Sequence, residues 1–376
     1  MSSEPALRRR ARRALLTAAA GAWTIAAILA ASGGVSFRVA GFPVRARRPA
    51  AALILGIVCA AAALASGGPA GAAQDLGRAW RRRRTWSAAA AAVAAVFAGV
   101  AGAVWGTWAA SGADAYGYVS QALAWTHGWP VLPQPIAASA PWPSPEWTLS
   151  PFGWRPALVP GAIVPTYAPG LPLLMAVAAR AAGESAVYLV VPVSAALLVW
   201  LTWRLGLILA DRAAAAAAAV LMACSPTLLF QAVQPMSDVP VAAWLTAALV
   251  LVLARKPGWA GACAAGAVLT RPNLAPLALW LALGTMMSAP GRVPADTRVR
   301  LRGLLVFVAT ASAGVLLWLA TNRAWYGDPF ASGYGSFGEL FSVANVGPNL
   351  RRYAEWLLHT QTPFVLLGLT SPLALA

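Results

Sequence analysis

Three charged residues stand at the ends of long apolar runs, where an ionised side chain is costly unless it has work to do: Asp114, Asp238 and Arg271. Asp114 lies in Ser111-Gly112-Ala113-Asp114-Ala115-Tyr116-Gly117-Tyr118, directly after the apolar run 87–110. A carboxylate at a membrane face, beside a polar and aromatic loop, suits a general base that takes a proton from a hydroxyl. The same position suits capping of the helix that follows, a role that leaves one carboxylate oxygen free. Asp238 follows Gln234-Pro235-Met236-Ser237 and precedes Pro240. It reads either as a helix cap with proline in the first turn or as a second acid that accepts a hydroxyl. Arg271 sits between two apolar runs, before Pro272-Asn273. Its guanidinium either snorkels to phospholipid headgroups or binds the phosphate of a lipid-linked substrate, for which its fork geometry is suited.

The elements that must hold these residues are membrane helices. Of 376 residues, 60% are hydrophobic and only 10% are charged, and the mean hydropathy is +0.66, a surface no soluble domain keeps wet. Apolar runs are expected at 14–34, 50–68, 87–110, 186–208, 213–231, 239–254, 258–271, 273–289, 303–322 and 354–374. The chain is therefore an all-α polytopic helical membrane protein with about 10 transmembrane helices; no alternating ten-residue segments suggest a barrel. The basic head before 14–34 and the spans after it read as a retained signal anchor. The run 171–182 is too short to span and is expected to be re-entrant or interfacial.

The net charge of +17 is gathered in arginine clusters: Arg8–Arg10 with Arg12 and Arg13, Arg81–Arg84, and Arg292, Arg298, Arg300 and Arg302. Short basic loops mark the cytoplasmic side, so the charge follows from topology and nucleic acid is excluded as a partner. Counting helices from these clusters puts Asp114, Asp238 and Arg271 together on the outer face. Arg38, Arg45, Arg47 and Arg48, in a loop that the count also places outside, break the rule locally and are outvoted. Cys59, Cys224 and Cys263 fall in separate apolar runs with no disulfide or metal spacing. His127 and His359 are too separated for a metal site.

Two outer loops carry the remaining polar and aromatic residues. The first, 111–170, opens with a helix from Asp114 to Thr126, on which Tyr118, Ala122 and Trp125 share a face as in an interfacial helix. It then turns rich in proline and tryptophan, with Arg155 and Tyr167 among the possible ligands. The second, 323–353, follows Asn322 and contains Tyr326-Gly327-Asp328-Pro329 and Ser332-Gly333-Tyr334-Gly335. The apolar run at the end reaches Ala376 with no polar flank, as in a truncated chain. No P-loop, GxSxG elbow, HExxH or kinase signature occurs, and there are no inverted repeats of broken helices of the kind transporters carry.

The ordered set resembles the GT-C superfamily of membrane glycosyltransferases, in particular the branch of protein O-mannosyltransferases, lipid A aminoarabinose transferases and rhizobial galacturonosyltransferases. The stretches that carry it are Gly112 through Tyr118, Pro165-Thr166-Tyr167-Ala168-Pro169-Gly170-Leu171-Pro172, Ser225-Pro226 with Gln234 through Asp238, Leu269-Thr270-Arg271-Pro272-Asn273, and Asn322 through Gly335. The resemblance covers 87–376; residues 1–86 resemble an N-terminal two-helix addition seen in some bacterial members. It implies a multi-pass enzyme of the bacterial cytoplasmic (inner) membrane, moving a sugar with inversion from a polyprenyl-phosphate donor to a protein, lipid or glycan on the extracytoplasmic side. Asp114 matches the acid that deprotonates the acceptor, and Arg271 takes the donor phosphate. Gln234, Asp238, Tyr118, Tyr167, Arg155, Asn322 and Tyr334 are the expected substrate-binding residues. No cofactor is required by the motifs. Many members pair two adjacent acids, but Ala115 follows Asp114 here, which leaves a divalent metal one carboxylate; Ala168 stands where some members have lysine. The rival class is a transporter, flippase or non-catalytic partner for lipid-linked sugars.

Overall fold

The computed structural model describes residues 6–32, 35–39, 42–46, 48–81, 83–287, 296–335, 342–361 and 366. Arg82, Arg292, residues 336–341 of the second loop and most of the run expected at 354–374 lie outside them. The chain divides into two compact units, Met1–Trp86 and Ser87–Ala376.

The first unit is a helical hairpin. Helices α1 (Ala6–Ser32) and α2 (Pro49–Arg81) are joined by an antiparallel pair, β1 (Val35–Val39) and β2 (Phe42–Ala46). The expected loop between the first two apolar runs is thus a short hairpin of strands. Small residues let the helices approach: a side chain at Gly56 would overlap the Trp23 ring, and one at Gly71 would meet the Arg12 guanidinium at 2.9 Å. Asp75 of α2 is enclosed by Arg12 and Arg13 of α1.

The second unit begins on α3 (Arg83–Val104) and α4 (Ala113–Thr126). A small three-stranded antiparallel sheet follows, absent from the all-α expectation: β3 (Leu132–Pro133), β4 (Trp154–Pro156) and β5 (Ala162–Pro165), in the order β3-β5-β4. A short helix, α5 (Pro145–Leu149), interrupts it. Then come α6 (Gly170–Ala182), α7 (Val190–Leu209), α8 (Arg212–Ala223), α9 (Pro226–Ala232), α10 (Asp238–Leu253), α11 (Pro257–Thr270), α12 (Ala275–Gly284), α13 (Thr297–Tyr326) and α14 (Val346–Gln361). Local chemistry sets the boundaries. Asp211 caps α8 through the Ala213 and Ala214 amides. Pro226 and Pro257 open α9 and α11, and Gly327 ends α13 with φ +83°.

Among the described residues, four helical segments are long and apolar enough to cross a membrane: Pro49–Asp75, Trp86–Val104, Glu184–Leu209 and Thr297–Tyr326. The pair α8 and α9, bent by 54°, makes five if it counts as one span. The runs read as spans at 239–254, 258–271 and 273–289 form helices of 16, 14 and 10 residues. At about 1.5 Å per residue, straight helices of these lengths fall short of a roughly 30 Å hydrocarbon core. This is the architecture of a helical membrane protein: Val93, Val96, Val100 and Val104 make an exposed apolar stripe along α3, a surface that lipid covers and water does not.

The core of the second unit runs through Ala91 and Ala98 of α3, Ala122 of α4, Met175 of α6, Val191 and Ala195 of α7 and Ala219 of α8. The alanine tract 213–219 therefore serves close helix packing. Tyr118 and Ala122 belong to this core, which corrects the expectation of an interfacial face on α4: that face packs against protein. Gly170 brings the start of α6 onto the end of α11. A side chain there would stand 2.5 Å from the Leu269 carbonyl carbon and the Thr270 amide. This approach sets the segment before α6 beside Arg271.

Candidate functional site

Asp114 is in the first turn of α4 but caps nothing. Gly112 takes the cap position, with φ +83°, and no side chain caps this helix. The capping reading of Asp114 is therefore overturned: the carboxylate is exposed and points elsewhere. The Tyr167 hydroxyl donates to its Oδ1 at 2.5 Å. No described residue bonds the other oxygen.

Tyr167 reaches Asp114 because two glycines yield space. A side chain at Gly117 would overlap the Tyr167 ring and stand 2.9 Å from the Cα of Gly153, itself at φ +81°. Burial pushes the Tyr167 phenol well above its ordinary range, and the hydrogen bond and charge of Asp114 push it further. Tyr167 therefore remains a proton donor at neutral pH and holds the carboxylate in place. Its ring packs on Tyr118, with centroids 4.7 Å apart.

Tyr118 leads to the cationic half. Its hydroxyl shares a 3.0 Å hydrogen bond with Ser237 Oγ, and Arg271 Nε donates to the same oxygen at 2.8 Å. Burial raises the Tyr118 phenol, with the Ser237 bond and the Arg271 charge acting in the opposite direction. Arg271 NH2 lies 3.0 Å from both oxygens of Asp238. Asp238 does not cap α10 either: Ser237 occupies that position, and the helix has no side-chain cap. The carboxylate is spent on Arg271 instead. Both partners stay about one-third exposed, at 35% and 33%. Arg271 NH1 has no partner among the described residues and is the open corner of the guanidinium.

Tyr334 closes the constellation from the second loop. Its ring lies 5.9 Å from that of Tyr167 and is 62% exposed. The turn carrying it is bridged between Ser332 and Gly335, and Arg155 NH1 donates to the Ser332 carbonyl at 3.0 Å. The Arg155 guanidinium also lies 5.2 Å from the ring centroids of both Trp147 and Tyr326. Tyr326 in turn donates to the Pro165 carbonyl at 2.6 Å, which ties the end of α13 to β5.

The nine residues singled out from the sequence thus separate. Asp114, Tyr118, Tyr167, Asp238, Arg271 and Tyr334 meet through direct contacts. Arg155 braces the Tyr334 turn. Asn322 is buried and donates to the Pro329 carbonyl at 3.0 Å, fixing the turn at the end of α13. Gln234 lines a small cleft with Thr107, Trp108 and Tyr188. Ser237, fully buried, is the residue that sequence reasoning passed over. Its signal was its place between Met236 and Asp238 at a helix entry, where small polar residues are ordinary. Among the described residues no three His, Cys, Asp or Glu side chains gather as a metal site.

Chemically, the constellation offers a base and an anion seat joined by phenols and a serine. The base has one oxygen oriented and one open; the seat has one guanidinium nitrogen open. No family model, curated protein or solved structure matches the chain.

Proposed function

We propose that this protein is a membrane glycosyltransferase that moves a sugar from a polyprenyl-phosphate donor to an acceptor hydroxyl on the extracytoplasmic side. The observation that carries the reading is the pairing just described: the open oxygen of Asp114 and the open NH1 of Arg271, linked through Tyr167, Tyr118 and Ser237. The proposal includes the outward-facing site expected from the arginine clusters, a bilayer-embedded body of about ten helical passes when the short helices are counted, and the resemblance to GT-C enzymes.

In this mechanism the acceptor oxygen attacks the anomeric carbon as its proton passes to Asp114 Oδ2. The bond from the anomeric carbon to the phosphate oxygen breaks, and polyprenyl phosphate leaves with the electron pair. Arg271 stabilises the charge that grows on the phosphate, where a preorganised donor acts most strongly. Asp238 and Ser237 hold the guanidinium in orientation. Tyr334 offers an exposed aromatic face to the sugar, and Tyr167 holds Asp114 in place.

The test incubates purified full-length protein with a panel of polyprenyl-phosphate sugars and follows release of free polyprenyl phosphate. Wild type is expected to release it from at least one donor. Asp114→Asn, with unchanged melting temperature, is expected to lose about 100-fold or more, the usual share of a general base. Full activity in that variant removes Asp114 from the chemistry. No release from any donor by protein that binds the lipids turns the reading to transport or scaffolding.

A further inference from the structure

Helix α14 is unlike the other long helices of the second unit. At 100° per residue, Val346, Leu350, Tyr353, Leu357 and Thr360 line one face, and Arg351, Arg352, Glu355 and His359 the opposite one. The apolar face has no protein over it among the described residues: Leu350 is 69% exposed and Tyr353 59%. Four ionisable residues within this helix exclude it as a span by itself. Tyr353 and Trp356, with ring centroids 5.6 Å apart, stand on and beside the apolar face, and such rings favour the headgroup layer.

Charge distinguishes which cover fits. Arg351 and Arg352 flank the polar face on its two sides, the positions from which long side chains reach up to phosphate while their stems lie along lipid. Arg351 pairs with Glu355 at 3.1 Å. Arg352 has no partner among the described residues. In sequence, the helix follows the Ser332–Gly335 turn that carries Tyr334.

We infer that α14 lies flat in the headgroup layer of an anionic membrane surface, with its apolar face in the acyl boundary and Arg352 on lipid phosphate. This does not rest on the transferase reading, only on the protein being membrane-embedded, and it takes residues 346–361 out of the count of passes. A protein groove or a second copy of the chain would demand a dry, complementary partner, and the arginines at both flanks fit a phosphate plane better.

The test uses the full chain with Cys59, Cys224 and Cys263 replaced by alanine and single labels introduced by Leu350→Cys, Leu357→Cys, Glu355→Cys or His359→Cys. Each is reconstituted in phosphatidylcholine vesicles with or without phosphatidylglycerol. The expected result is a face-dependent pattern in the anionic vesicles: labels at 350 and 357 quenched by lipid-borne quenchers at headgroup depth, labels at 355 and 359 by iodide. Arg352→Gln should shift the docking equilibrium, read from the quenched fraction at 357, about fivefold, the weight of one interfacial arginine. Labels on both faces shielded from lipid and water would mean a protein cover or a second copy. Both faces open to iodide would mean no docking. Quenching at midplane depth would mean a span. Equal docking in neutral vesicles would remove the anionic requirement. Each of these four outcomes overturns the proposal.

Discussion

Among the described residues, the pairings of Asp75 with Arg12 and Arg13 and of Asp238 with Arg271 use the same groups to opposite ends. In the first unit, Asp75 is closed on both sides. Arg12 holds Oδ2 through Nε at 2.8 Å and NH2 at 2.7 Å, and Arg13 Nε holds Oδ1 at 2.8 Å. The Arg12 and Asp75 side chains are 2% and 1% exposed. In the second unit, Asp238 and Arg271 are each about one-third exposed, and the guanidinium keeps a nitrogen open. A buried carboxylate with every oxygen satisfied has nothing left to offer a ligand; its role is to hold two helices in register. A half-open pair contributes little to stability and can exchange partners. The ion pair alone therefore does not mark a site; the unused corner does.

The largest effect that tests this contrast is on stability. Asp75→Ala removes the carboxylate that Arg12 and Arg13 share. It should cost about 3 kcal/mol, the lower end for breaking a buried pair, because the unit is only a helical hairpin thick. Asp238→Ala should cost about 1 kcal/mol or less, since solvent screens that pair. Melting of the two purified variants in detergent checks the difference. Equal losses would dissolve the distinction between closed and open pairs. The turnover of the Asp75 variant, per folded molecule, should stay at the wild-type level.

Arg271→Lys comes next. It keeps the charge beside Asp238 but loses the fork, so either the Ser237 bond or the open donor is given up. A charge-assisted hydrogen bond contributes roughly 1.5–3 kcal/mol, so polyprenyl phosphate release should fall by about 10- to 100-fold with little change in melting temperature. An unchanged rate would show that the open nitrogen is idle. Ser237→Ala is milder. It removes the link between the cation and the Tyr118 hydroxyl, at about 1 kcal/mol. The expected result is a roughly fivefold fall in kcat. The fall should be much smaller in a Tyr118→Phe background, where the link is already cut.

The parts of this arrangement differ in how far the sequence reveals them. Asp114, Asp238 and Arg271 stand out because a charge at the end of an apolar run is conspicuous in one dimension. That Tyr167 returns to Asp114 across 53 residues is not visible there; it depends on Gly117 and Gly153 permitting contact. Ser237 is hidden for the opposite reason, since its neighbours already account for a small polar residue at a helix start. Both aspartates read as caps because the local pattern is right, yet neither caps, since tertiary partners compete for the carboxylates. The apolar runs locate helices well and their lengths poorly. After residue 238 the runs 239–254 and 258–271, separated by Arg255 and Lys256, form helices of 16 and 14 residues, while 273–289 shortens to a helix of 10 after the Pro272 turn.

Arg155 offers the finest test, because a substrate ligand and a brace at this position predict different kinetics. It holds the Ser332 carbonyl 177 residues away and lies over Trp147 and Tyr326. Arg155→Gln should free the Tyr334 turn without touching Asp114 or Arg271. The losses are one hydrogen bond and a partly exposed cation–π contact, together about 1–2 kcal/mol. Spread over a loop that shapes binding, this should appear as a several-fold rise in KM with kcat nearly kept. Arg155→Lys, which restores the charge above the rings, should recover part of the loss. If Arg155 instead met the donor phosphate, the substitution would lower kcat as strongly as Arg271→Lys does. Lysine would then rescue by charge alone, with a steep dependence on salt. The split between KM and kcat therefore separates a residue that shapes the site from one that takes part in the reaction.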